Sequence, residues 1–169
     1  MMRTATVAAT VLILAFVGTG PARAHCEIPC GIYGDTTRID LLYEHIRTVE
    51  KSMNQIVALS KDSSANANQL VRWVGNKETH AGEIQHIVTQ YFMTQRVKPN
   101  PAGDDAARTK YVGQLTALHD VLIRAMKAKQ TTDLAHVEAM RHAVEEFSRL
   151  YFSEEDFRHI REHHAGGHD

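Results

Sequence analysis

Only two cysteines occur in the 169-residue chain, and they stand close together as Cys26 and Cys30, with His25 directly before the first. Two thiolates joined by amine or amide nitrogens in one plane suit square-planar nickel(II) or copper(II). A tetrahedral zinc site would need more cysteine or histidine than this short stretch holds. Pro29, between the cysteines, restrains the backbone and can adopt a cis bond that turns both sulfurs toward one point. Gly31 permits close backbone approach. Spacing alone favours a plainer reading, a Cys26–Cys30 disulfide, the ordinary state of paired thiols outside the cytoplasm.

What precedes these residues changes their chemistry. Residues 1–24 read as a secretory signal peptide: Arg3 is the charged start, Val7 to Val17 the apolar stretch, and Ala22-Arg23-Ala24 a small-x-small cleavage site. The apolar run is short for a transmembrane helix, which needs roughly 20 such residues. Cleavage after Ala24 would give His25 a free α-amine beside its imidazole. The expected location is therefore periplasmic or secreted, with no membrane association after cleavage.

The rest of the chain must hold that terminus in place. A net charge of -1, from 19 Lys+Arg against 20 Asp+Glu, excludes a strongly basic nucleic-acid binder. Ile39, Leu42, Ile46, Val49, Met53 and Ile56 recur at helical spacing over about 36–61. Ser63, Ser64, Asn66 and Asn68 read as a polar turn. Leu70, Trp73, Val74, Ala81, Ile84, Ile87, Val88 and Tyr91 form a second stripe, with Lys77 and His80 on or beside it. Lys98 to Gly103, with two prolines, ends it. Val112, Leu115, Leu118, Leu122 and Ala125 mark a third helix. A fourth, capped by Thr131 or Thr132, carries Leu134, Val137, Met140 or Arg141, Val144, Phe147 and Tyr151. No period-two pattern calls for a sheet. The expected architecture is all-α: a hook over 25–35, an antiparallel four-helix bundle over 36–162, and a disordered His-rich tail over 163–169.

The segment His25-Cys26-x-x-Pro29-Cys30-Gly31-x-Tyr33, placed at the expected mature start, resembles the nickel hook of nickel superoxide dismutases, as does a four-helix bundle behind it. The resemblance implies one nickel ion per subunit, held by His25 through its α-amine and imidazole, by Cys26 through its backbone nitrogen and thiolate, and by Cys30 through its thiolate. It implies disproportionation of superoxide to oxygen and hydrogen peroxide by cycling nickel(III) and nickel(II), in a homohexamer. Tyr33 is then a gate at the open axial face. An unperturbed phenol, with a pKa near about 10, is a poor main proton source. Asp40, in Arg38-Ile39-Asp40, matches the carboxylate that orients the axial imidazole, with Glu44 one turn on as the other choice. Where an arginine should assist from the second helix, His80 stands instead. The rival to turnover is a periplasmic metal-binding or metal-delivery bundle built on the same hook.

Other signals are weaker. His163, His164 and His168 can collect nickel or copper, or can simply belong to a solvated tail. Arg96 and Lys98 can attract an anionic substrate, although a surface cation ordinarily just faces solvent. Met53 and Met126 read as core. Glu83-x-x-His86 has the spacing of a di-iron motif but lacks its second copy.

Overall fold

The computed structural model describes residues 34–99 and 104–165, and the hook residues His25, Cys26, Cys30 and Tyr33 lie outside them, as does the leader. Helix α1 spans Asp35–Leu59 and, after a 3-10 turn at Ser60–Asp62, α2 spans Ser63–His86. The chain continues directly into a π-helical segment, Ile87–Arg96. Helices α3 (Asp105–Gln130), α4 (Ala135–Tyr151) and α5 (Glu154–Ala165) follow. No described helix is long and apolar enough to cross a membrane.

Cross-links between helices run antiparallel. Moving forward along α1, Asp35, His45 and Ser52 meet Tyr91, His80 and Asn76, in reverse order. Asp35 meets Tyr151 near the end of α4, and Glu50 pairs with Arg141 near its start. The four long helices therefore form the expected up-down bundle with short connections.

Its core is filled where the stripes predict on α1 and α4. Ile39, Leu42, Ile46, Val49 and Met53 face Val137, Met140, Val144 and Phe147 across a close-packed interior, all fully buried. Phe92 sits edge-on to Phe147 at 4.8 Å and to Tyr151 at 5.8 Å. Truncating a buried ring of this kind costs about 3–5 kcal/mol, so these aromatics set much of the bundle's rigidity.

Several sequence expectations need correction. The polar turn is only three residues long, because Asp62 caps α2: its carboxylate accepts from the backbone N–H of Ala65 at 3.2 Å. Asn66 is helical and donates to the Asp62 carbonyl at 2.9 Å, so a residue read as turn-forming serves the helix junction. The first part of the second stripe is only partly covered, with Leu70 and Trp73 half-buried, Val74 exposed and Lys77 buried instead. Lys77 Nζ donates to the carbonyls of Ala128 at 2.7 Å, Lys129 and Thr131, satisfying the end of α3. On α3 the buried stripe is Ala117, Leu118, Val121, Ala125 and Ala128, while Val112 and Met126 are exposed. Asp133, and not a threonine, caps α4 by accepting from Ala135 N–H at 2.9 Å.

The C-terminal stretch is also helical rather than frayed through Ala165. Ser153 caps α5, accepting from Asp156 N–H and donating to its carboxylate. Ile160 is buried, and His163 and His164 ride on the last turn.

Candidate metal centre and its anchor

The first described residues lead straight into a polar cluster at one end of the bundle. Asp35 Oδ1 accepts from the Tyr91 hydroxyl at 2.6 Å, and Oδ2 accepts from Tyr151 at 2.8 Å and from Arg96 Nη2 at 2.6 Å. The guanidinium of Arg38 lies over the Tyr91 ring, 5.1 Å from its centre. One carboxylate thus ties α1 to the π-helical segment and to α4. The point where the expected hook joins the bundle is held by three side chains from two other elements.

The π-helical segment explains how Tyr91 and Arg96 both reach Asp35. Val97 N–H bonds to the Phe92 carbonyl at 2.8 Å, five residues back, and Gln95 Nε2 reaches the Gln90 carbonyl. Residues five apart are brought onto one face by this ladder, whereas an ordinary α-helix would splay them. Arg96 accordingly sits above Tyr91, 5.9 Å from its ring centre.

Electrostatics keep Asp35 and Arg96 ionised and the two tyrosines neutral. Burial pushes the Asp35 carboxyl up, but bonds from Arg96, Tyr91 and Tyr151 and the Arg96 charge outweigh it and hold the pKa below the usual value. Burial and the neighbouring carboxylate push the Tyr91 hydroxyl up to about 12, so it stays a donor. The Tyr151 hydroxyl is raised for the same reasons. Arg96, read as a possible guide for an anionic substrate, is committed to this ion pair, while Lys98 is exposed.

The other sequence candidates fall elsewhere. Asp40 lies on the same helix at a half-exposed position, where His164 Nε2 donates to its Oδ1 at 2.8 Å. His163 Nδ1 is 3.9 Å from the same oxygen. The His164 ring stacks on Tyr43, with centres 4.1 Å apart. Burial lowers the His164 pKa against the opposing pull of Asp40. Glu44 is exposed. His80 meets His45, one Nδ1–H donating to the other Nδ1 at 2.8 Å; burial first, and then His80, lowers the His45 pKa. Glu83 and His86 are both exposed, with Ile84 on the core side, so they build no metal site inside the bundle.

His25, Cys26 and Cys30 lie outside the described residues, and an imidazole with two thiols is a set of side chains whose chemistry suits nickel. Comparison with known families decides the class. The model of nickel-containing superoxide dismutase matches residues 20–155. The chain belongs to the nickel-containing superoxide dismutase family. It is a nickel-dependent superoxide dismutase, and membership of that family favours the enzyme over the metal-delivery reading. Searches among curated proteins and among solved structures gave no match.

Sequence reasoning missed the Asp35 cluster. Its signal was faint: Tyr91 was read as core, and Arg96 and Tyr151 lie on separate segments that only the fold joins.

Proposed function

We propose that the nickel of this superoxide dismutase is held by His25, Cys26 and Cys30 after the leader 1–24 is removed. The observation that carries this reading is the motif His25-Cys26-x-x-Pro29-Cys30-Gly31-x-Tyr33, followed at once by a residue, Asp35, that the bundle clamps. When bound, nickel supplies the redox couple that superoxide both reduces and oxidises. The chain's own residues do the rest. The α-amine and imidazole of His25, the amide nitrogen and sulfur of Cys26 and the sulfur of Cys30 hold the ion. Pro29 and Gly31 shape the turn, and Tyr33 limits access while keeping its hydroxyl for ordered water. Asp40 orients the His25 imidazole through the carboxylate oxygen that His164 does not take.

The same reading puts the enzyme in the periplasm or outside the cell, where the leader would send it. It also makes the enzyme a homohexamer in which a neighbouring subunit helps enclose each hook. Exposed apolar side chains at Val57, Val71, Val74, Val112 and Met126 offer surface for such contacts.

One added residue before His25 tests the arrangement, because it converts the α-amine into a peptide nitrogen. The nickel-loaded extended protein should lose essentially all superoxide-removing activity while its helical content stays unchanged. Full activity in the extended protein, or a mature terminus other than His25 by mass spectrometry, would overturn the assignment of ligands.

A further inference from the structure

The last helix carries chemistry that the nickel hook does not use. His163 and His164 lie beyond the residues that the family model matches, yet α5 delivers both of them to Asp40 on α1. One ligand atom from each of the three side chains lies within 4.8 Å of the other two. Two imidazole nitrogens and a carboxylate oxygen are the donor set of a three-ligand site for zinc or a similar first-row divalent ion, with water completing the shell.

The surroundings hold this set in place. The His164 side chain is only 8% exposed, stacked on Tyr43, and bonded through Nε2 to Asp40. Arg47 Nη1 lies 3.5 Å from the opposite ring nitrogen, Nδ1. The ring is fixed from its face by Tyr43 and through Nε2 by Asp40, while Arg47 is a donor on Nδ1 that an ion must displace. His163 is the accessible member, with 66% of its side chain exposed, and gives an ion entry from solvent. Ile160, buried one turn earlier, seats the helix that presents both rings.

We propose that Asp40, through the oxygen that faces α5, forms with His163 and His164 a second metal site that takes a zinc-class divalent cation and staples α5 to α1. On binding, the single proton of the neutral His164 ring moves from Nε2 to Nδ1 by exchange with water, which frees Nε2 for the ion. Arg47, exposed, moves off that nitrogen into water. No electron transfer is involved. The site binds its ion whether or not the hook is loaded.

The test is zinc(II) titration by calorimetry into processed protein carrying Cys26→Ser and Cys30→Ser, so that the hook thiolates cannot contribute. One equivalent per chain should bind and raise the melting temperature, since a ligand that binds only the folded state stabilises it. His164→Ala and Asp40→Asn should each weaken that binding at least about tenfold. His163→Ala guards against a merely unfolded helix: its exposed ring can be removed without disturbing packing, and binding should still fall while the circular dichroism does not change. His168→Ala should leave binding intact. Unchanged binding in the His163, His164 and Asp40 variants, or loss on replacing His168, would overturn the proposal and assign the metal to the terminal histidines instead.

Discussion

Asp35 and Asp40 sit little more than one turn apart on the same helix, and the bundle treats them in opposite ways. Asp35 is turned inward, its side chain 17% exposed, and three donors from the π-helical segment and α4 converge on it. Asp40 is 46% exposed and, among the described residues, meets the two histidines of the last helix. Identical side chains thus take separate roles. One is structural, with its charge locked by an arginine and two hydroxyls. The other is open to change, with partners that can release it to an imidazole or a metal. Position relative to the core separates them, because solvent screens a charge at the rim and leaves one inside dependent on fixed partners.

The contrast is broken most severely by Asp35→Ala. It leaves Arg96 without its counter-charge and removes the acceptor of two hydroxyls, which should cost about 2–3 kcal/mol. The melting temperature should fall by roughly 5–10 °C. A loss as small as that of a surface ion pair would mean that Asp35 is not the clamp described.

Acid provides the next test. The Asp35 pKa is lower in the folded protein than the ordinary value of 3.8. Its contribution to stability is therefore fully present above that value and is lost as the pH falls through the lower, folded pKa. Denaturant melts between pH 5 and pH 2 should show a shallower decline for Asp35→Asn than for the parent. An identical decline in both would place the acid sensitivity elsewhere.

For Asp40 the expected effect is on the reaction. Asp40→Asn should lower activity of the nickel-loaded enzyme about tenfold, as loss of a group orienting a metal-bound imidazole commonly does. Its effect on chemical denaturation should stay within about 0.5 kcal/mol, the scale of a solvated pair. If stability falls as far as in Asp35→Ala, the two carboxylates are not distinct. Between these lies Tyr151→Phe, which removes one of the three donors to Asp35 while keeping the ring on Phe147, and should cost about 1 kcal/mol in the same melts.

Much of the architecture was legible because amphipathic stripes are local. Ile39, Leu42, Ile46, Val49 and Met53 follow one another at helical spacing, and they are the buried face of α1. The stripes failed where a polar residue had a better use of the interior, as at Lys77, whose three carbonyl partners belong to a helix end about 50 residues away. They held in part on α3, where Leu118 and Ala125 are buried as expected, but Val112 stays outside and Ala117, Val121 and Ala128 complete the contact. The short helix α5 was hard to read because Phe157 and Ile160 are its only large apolar residues, although Ser153-Glu154-Glu155-Asp156 is a legible capping sequence.

The chemistry divides along the same line. His25, Cys26, Pro29, Cys30, Gly31 and Tyr33 are near neighbours in the chain, so the motif that resembles a nickel hook is legible in the sequence without help from the fold. The clamp at Asp35 and the cluster at Asp40 join residues 56 to 124 positions apart. Their meeting depends on antiparallel packing, on a π-helical ladder that aligns Tyr91 with Arg96, and on a docked final helix. No local pattern encodes distances across a bundle. Only the tertiary structure decided which of two similar carboxylates is buried with partners and which stands open at the rim.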